Sequence, residues 1–522
     1  MKLGKLKTTS NLFLIFLGIA IFLRVINIVS EQIWVDEAGS IFYVRAPLNK
    51  FWAIVINDVH PPLYYIILKG WTSLFGYSVF SCRLLSAIFS ILTLPFLFFI
   101  GKDIKDEKFG LIIIFLYSIS PLSIYYANEV RSYSLIHLLF TISLLFAIRC
   151  ITIPNNPKNY VFLAIFGALL IYTHYFGIIY LIGLYFGIIV INLNNKKINK
   201  NILFSIIIVI LSYIPWIPYA INDAFGGPAG YTGGQLSVIN LSYYAFVYFV
   251  APVPSNINNP YILNLVILTF IINIPLIIIS ILSIIGFLYS LKNRDYIDLK
   301  NVYYFIISLF VLIFGISIIL GFLIPNSFTA KNLIGGLSII HIIEAFGLYY
   351  LFFDKNSSFK KINIKSLKIF NPQILRKISY SVIIILLVNS IIIYPIFRSI
   401  YLQKPDWEGC AKRLKKDFRK HDIVVNPYNR QIPDALRYYS DLHDFDLDDN
   451  SYILDYGADG IEEFSDEISD EDITRIWIVF YWLDLDDSEE KTEDKLIDEY
   501  NLTKVDEYEF RLDIILVLYE IP

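Results

Sequence analysis

Three cysteines in 522 residues, Cys82, Cys150 and Cys410, are too few and too scattered to build a disulfide framework or a zinc site. No small-residue cleavage site follows the first apolar run. That run, Asn11 to Ser30 behind Lys2, Lys5 and Lys7, therefore reads as a retained membrane span and not a removed leader. There is no basic stripe interleaved with aromatics, which argues against a nucleic-acid partner, and no D-x-D-x-D-G calcium loop. Internally repeated halves of the kind that build many transporters are missing as well. Charge is scarce: 17% of residues are charged against 56% hydrophobic, with a mean hydropathy of +0.59. That balance excludes an ordinary soluble globular protein and favours a membrane class.

What charge there is lies unevenly. Residues 402–522 hold 33 of the 46 acidic and 14 of the 43 basic residues, a balance of −19, while residues 1–401 carry +16. A basic, apolar body joined to an acidic tail implies two parts, 1–401 and 402–522. A bilayer core of about 30 Å needs about 20 apolar residues per helix. Runs of that order occur near 11–30, 84–101, 109–126, 132–152, 160–176, 177–193, 202–221, 262–289, 303–324, 332–352 and 379–398. The expectation is a polytopic α-helical membrane protein of about 11 transmembrane helices with a small C-terminal α/β domain. Two shorter apolar stretches, 62–76 and 241–252, read as interfacial or re-entrant.

Loop charge orients these spans. With neither short stretch spanning, one set of loops collects 18 Lys and Arg, from Lys102 to Lys377. The opposite loops after residue 100 hold only Arg131, Lys331 and Arg398 before the tail. The positive-inside rule then puts the N-terminus in the cytoplasm and the tail outside a plasma membrane. In the tail, Trp407, Cys410, Leu414 and Phe418 recur at helical spacing. The segments 422–426, 475–482 and 513–521 are rich in strand formers. Its acidic runs read as a solvated face.

On the external side of this scheme the unusual polar residues collect. The loop 31–83 contains Trp34-Val35-Asp36-Glu37-Ala38 and His60-Pro61-Pro62-Leu63-Tyr64-Tyr65. Further on come Asn128-Glu129-Val130-Arg131-Ser132-Tyr133, Thr173-His174-Tyr175 and Thr329-Ala330-Lys331-Asn332. Ionisable groups at membrane depth are costly and tend to pair or line functional cavities. Acids, a His, an Arg and a Lys on one side of a membrane are groups that can deprotonate a hydroxyl and bind a phosphate. The bland alternatives are helix-capping carboxylates at Asp36 and Glu37, a mutually neutralising Glu129–Arg131 pair, and structural histidines at His60, His137, His174 and His341. Glu344, deep in the tenth span, requires a partner.

These blocks, with Arg83-Leu84-Leu85-Ser86-Ala87, resemble in order and spacing the GT-C glycosyltransferases. The similarity is to the branch containing protein O-mannosyltransferases and lipid A aminoarabinose transferases, and it runs over about residues 10–180. Lys404-Pro405-Asp406-Trp407 resembles the start of an exoplasmic domain found in prokaryotic members. The resemblance implies an inverting transfer of one sugar from a polyprenyl- or dolichyl-phosphate donor to a hydroxyl of a protein, lipid or cell-surface glycan. It carries the essential carboxylate over to Asp36, its neighbour to Glu37, the acid and Arg of the later loop to Glu129 and Arg131, and phosphate contacts to His60 and Lys331; Tyr133 and His174 are further candidate donor contacts, His174 as readily a structural histidine. At the last site the family usually has Arg-Tyr where this chain has Lys331-Asn332. A divalent cation among Asp36, Glu37 and Glu129 is compatible with the pattern and not required by it. The rival readings are a transporter or lipid flippase without chemistry, and a scaffold whose acidic tail binds partners.

Overall fold

The structure, a computed structural model, describes residues 2–195, 199–225, 296–324, 328–353, 404–426, 434–445, 473–481, 501–510 and 514–521, with short stretches and single positions in between. It divides into two compact units. One comprises Met1–Ile28 and Pro47–Tyr401; the other comprises Val29–Ala46 and Leu402–Pro522.

The first unit is helical. Its described helices are α1 (Lys2–Val25), α3 (Leu48–Ile56), α4 (Leu63–Phe75), α5 (Val79–Ile104), α6 (Glu107–Ser118), α7 (Pro121–Tyr126), α8 (Tyr133–Thr152), α9 (Pro157–Ile171), α10 (Phe176–Asn194), α11 (Lys200–Tyr213), α12 (Ile217–Phe225), α13 (Tyr296–Leu323) and α14 (Gly336–Phe353); α2 belongs to the second unit. Among the described residues five helices are long and apolar enough to cross a membrane, and the stretches 9–25, 157–171 and 336–349 form shorter apolar helices. Large apolar side chains such as Leu211 and Val311 stay about 60% exposed. Such faces suit hydrocarbon better than water.

Sequence punctuation explains where the helices break. The run read as one span at 109–126 is two helices, because Pro121 lacks the N–H needed to continue and instead opens α7. Pro215 and Pro218 likewise turn the end of α11 through the 3-10 segment Ile214–Trp216 into α12. The stretch 62–76 becomes α4, whose 13 residues span about 20 Å and fall short of a bilayer core. The expected runs at 241–252, most of 262–289 and much of 379–398 lie outside the described residues.

Helices α5, α6 and α8 pack together at the centre of this unit. Close approach of α5 and α6 rests on paired glycines: a Cβ on Gly101 would lie 2.4 Å from the Gly110 Cα. A buried Arg24 on α1 is fully engaged. Its Nε donates to Ser90 Oγ at 2.7 Å, Nη2 to Ser123 Oγ at 2.8 Å, and Nη1 to the Ser118 carbonyl at 3.2 Å. Its guanidinium also lies over the Tyr117 ring. An otherwise costly cation thereby ties α1 to α5, α6 and α7.

The second unit has a five-stranded sheet in the order β2-β1-β3-β5-β4, with β1 (Asp422–Asn426), β2 (Ser451–Ile453), β3 (Arg475–Tyr481), β4 (Thr503–Phe510) and β5 (Ile514–Glu520). Strand β1 runs parallel to β2 and β3, while β5 is antiparallel to β3 and β4. Its apolar face is filled by Val425, Ile478, Val517 and their neighbours. Asp422 braces β1 to β3 by accepting from Arg475 Nε at 2.8 Å and Trp477 Nε1 at 2.9 Å. Helices α15 (Trp407–Asp417) and α16 (Asp434–Leu442) complete the described part, together with α2 (Val35–Arg45), which packs on α16.

Candidate active site

In the helical unit, four turns at helix ends bring one cluster together. The first is the Asn57–Pro62 connection between α3 and α4. After Ile56 the chain leaves the helix, and Asp58 folds back on His60: its Oδ2 accepts from the His60 backbone N–H at 3.1 Å and from His60 Nδ1 at 3.1 Å. Tyr65, one turn into α4, donates its hydroxyl to the same oxygen at 2.9 Å. The second turn, between α7 and α8, presents Arg131. Its Nη2 lies 3.2 Å from His60 Nε2, and its Nη1 makes a long contact of 3.5 Å with the Tyr65 hydroxyl. The third turn, between α9 and α10, brings the His174 ring edge-on to His60 with centroids 5.4 Å apart. It is fastened to the first turn by Leu63 N–H donating to the Tyr172 carbonyl at 3.0 Å. Lys331 lies in the fourth turn, before α14, where Tyr180 from α10 donates to the Asn332 carbonyl at 2.7 Å. A narrow recess between these turns is lined by His60, Pro61, Tyr64, Tyr65, Arg131 and Thr173.

The protonation states follow from the partners. Guanidinium groups only donate, so His60 Nε2 accepts from Arg131 and its Nδ1–H donates to Asp58; this is the neutral Nδ1–H tautomer. Burial alone would raise the Asp58 carboxyl. The hydrogen bond from His60, with the charge of Arg131 and the Tyr65 hydroxyl, outweighs it and holds Asp58 below the usual carboxylate range. His174 is pushed well below an ordinary imidazole, first by burial and then by the nearby cations Arg131 and Lys331. Its Nδ1 accepts the Phe176 N–H at 3.2 Å. The cluster thus brings two cationic side chains, Arg131 and Lys331, to neighbouring helix ends, groups of the kind that bind an anion.

Two other candidates on this unit sit differently. Glu129 is buried just ahead of Arg131, whose N–H donates to the Glu129 carbonyl at 2.8 Å. Tyr133 opens α8 buried against Tyr126, ring centroids 5.0 Å apart. Within the bundle, His137 pairs with Ser338 Oγ at 2.9 Å, and Glu344 finds its partners in His341 Nδ1 at 2.8 Å and Ser280 Oγ at 2.6 Å.

Asp36 and Glu37 lie on the second unit, in the first turn of α2, where the helix dipole favours ionised carboxylates. Their environments differ. Glu37 is fully buried; its Oε2 accepts the Trp34 N–H at 2.9 Å, the return half of a capping box, and meets Lys404 Nζ at 2.6 Å. Lys404 is itself only 4% exposed. Asp36 is half-buried, and its carbonyl accepts from Ser40 Oγ at 3.0 Å. The segment is held further by Ile33 N–H donating to the Tyr439 hydroxyl at 3.0 Å and by Arg45 donating to Asp441 at 3.2 Å. Among the described residues no group of three or more His, Cys, Asp or Glu is placed to hold a metal ion.

Sequence reasoning passed over Asp58 and Lys404 as site residues. Asp58 had a signal: an Asx residue two positions ahead of His60, at a helix exit, is a turn former that binds the backbone two residues on. Lys404 had none, because its partner Glu37 is 367 residues away.

Residues 59–219 match the sequence model of the family described as dolichyl-phosphate-mannose-protein mannosyltransferase. The match takes in His60, Glu129, Arg131, Tyr133 and His174 and starts one residue after Asp58. Solved structures share the fold over nearly the whole chain. ArnT from Cupriavidus metallidurans in the apo state superposes with a TM-score of 0.58 at 11% identity, covering 98% of both chains. The same protein bound to undecaprenyl phosphate gives 0.55 at 10% identity, covering 97% of both. The oligosaccharyltransferase AglB from Archaeoglobus fulgidus, in complex with an inhibitory peptide and a dolichol-phosphate, gives 0.53 at 13% identity, covering 91% of this chain and 69% of that one. No curated protein sequence matches the chain. The chain has the fold of these structures, with five helices among the described residues long and apolar enough to cross a membrane, and the resemblance to the GT-C glycosyltransferases read from its motifs stands.

Proposed function

We propose that this chain transfers one monosaccharide, with inversion, from a polyprenyl- or dolichyl-phosphate donor to the hydroxyl of a protein or glycolipid acceptor on the external face of the plasma membrane. The observation that carries this reading is the convergence of Arg131 and Lys331 with His60 and His174 at four helix ends, side chains of the kind that bind a phosphate. Two further facts support it: the ArnT structure with undecaprenyl phosphate and the AglB structure with a dolichol-phosphate have the same fold.

In the proposed reaction Asp36 takes the acceptor hydroxyl proton as that oxygen attacks the anomeric carbon. The bond from that carbon to the phosphate oxygen breaks, and the lipid phosphate leaves with the electron pair. Its charge is stabilised by Arg131, a fork of five N–H donors, and by Lys331 as a point charge. Glu129, Tyr133 and His174 shape the donor side; His174, held neutral, adds no competing cation. A divalent cation among the acidic candidates fits poorly at Glu37, whose Oε2 already faces Lys404 and the Trp34 N–H. Eleven spans, a cytoplasmic N-terminus and an external tail belong to the same proposal and rest on the loop-charge bias.

The test is transfer from a panel of radiolabelled polyprenyl-phosphate sugars in membranes holding wild type or Asp36→Asn. Loss of a general base costs about 10²–10⁴-fold in rate. Full transfer by the variant would remove Asp36 from the mechanism, and no transfer by wild type from any donor would move the weight to a flippase.

A further inference from the structure

We propose that Asp58 is a positioning residue of the phosphate site, holding the Arg131 guanidinium in place through His60 and Tyr65. The proposal rests on the reading that Arg131 receives the donor phosphate. Two bridges leave the single oxygen Asp58 Oδ2. One passes through the His60 ring, Nδ1 at 3.1 Å on the acid side and Nε2 at 3.2 Å on the Arg131 side; the other passes through the Tyr65 hydroxyl, 2.9 Å from Asp58 and 3.5 Å from Arg131. The backbone N–H of His60 pins the same oxygen, so the carboxylate and the imidazole form one rigid turn. Side-chain exposures of 10% for Asp58 and 19% for His60 keep water from replacing these contacts.

The physical point of an indirect link is charge. A carboxylate paired directly with Arg131 would compete with phosphate for the fork and cancel the cation's field at short range. A neutral imidazole accepts one guanidinium N–H and orients the plane, while the acid behind it fixes which ring nitrogen carries the proton. With Asp58 neutralised, the ring can take the other tautomer and turn an N–H toward Arg131, so the guanidinium loses the imidazole as an acceptor. His60 then acts behind Arg131, although its chain position before Pro61-Pro62 suggested a direct phosphate contact.

The test is binding of undecaprenyl phosphate, without sugar, to the purified full chain in detergent. Asp58→Asn is measured in two backgrounds, wild type and His60→Ala/Tyr65→Phe. A charge-assisted hydrogen bond is worth about ten-fold in affinity. The expected result is a loss of about ten-fold for Asp58→Asn in the wild-type background. In the bridge-free background the further loss is under about two-fold, the margin within which uncoupled effects add. Asp58→Glu is expected to recover part of the affinity, which a merely structural aspartate at a turn would not predict. Equal losses in both backgrounds overturn the relay. If wild type itself does not bind, the lipid-phosphate reading fails, and melting temperatures without ligand decide the relay alone, with Arg131→Gln added to these variants: Asp58→Asn and Arg131→Gln effects that couple only when His60 and Tyr65 are present uphold it, and purely additive losses overturn it.

Discussion

The pairing of Glu37 with Lys404 makes a prediction that separates a carboxylate that holds from one that reacts. Both groups are almost fully buried, at 1% and 4% side-chain exposure, and lie 2.6 Å apart. Removing one partner of such a pair leaves the other charge buried and uncompensated, which costs about 3–5 kcal/mol. Lys404→Met takes the ammonium away from Glu37 and leaves the Trp34 N–H in place. Glu37→Gln removes the charge facing Lys404 but keeps an acceptor for Trp34, so the two variants separate the ion pair from the helix cap. Because the pair ties α2 to the start of the tail, the cost falls on local opening of 29–46. About 3 kcal/mol there speeds amide exchange by the order of 10²-fold. Hydrogen–deuterium exchange of the full chain, read by mass spectrometry on peptides from 29–46, measures this directly. The double variant Glu37→Gln/Lys404→Met has no orphaned charge and should exchange close to wild type, far below the sum of its parts. Transfer activity should follow the exchange, since Asp36 sits in the first turn of the same helix. Unchanged exchange in Lys404→Met, or single effects that simply add, would refute the staple and return Glu37 to the list of reacting groups.

Other outcomes follow from the same geometry. His174 is depressed well below its unfolded value of about 6.5, so between that pH and its folded value the unfolded chain binds a proton that the folded one refuses. Stability should therefore fall as pH drops below about 6.5, by up to about 1.4 kcal/mol per unit, and His174→Asn should flatten that limb of the melting curve. For Asp58, whose folded value lies below the ordinary carboxylate range, the sign places its contribution above the unfolded value of about 3.9, to be lost only as pH falls through the folded one. Asp58→Asn should consequently lower stability at pH 7 and cost less near pH 3, compared by melts at the two values. Gly110→Val should lower the melting temperature more than Gly70→Val: a Cβ at Gly110 meets the Phe98 carbonyl oxygen at 2.5 Å, while at Gly70 it meets nothing within 4 Å.

The helices were largely legible because apolar length and proline are local signals: α8 at Tyr133–Thr152 and α10 at Phe176–Asn194 sit on the runs that define them. Strands β1, β3 and β5 sit on segments rich in β-branched and aromatic residues for the same reason. The break at Ile119-Ser120-Pro121 was hidden inside a run whose hydropathy is continuous, since hydropathy does not register a missing N–H. The motif residues of the helical unit could be named from the chain, but what each one does depends on neighbours that the chain order conceals. Asp58 and Glu37 make the argument together. Each is a buried acid next to a residue singled out for chemistry, and in isolation either could serve as a base. One accepts from a histidine and a tyrosine that lead to an arginine 73 positions on; the other accepts from a lysine 367 positions on. A carboxylate whose oxygen is already committed to cations and donors has little proton affinity left to offer a substrate hydroxyl. Asp36, half-buried in the first turn of α2, is the acid that the proposed mechanism uses as base.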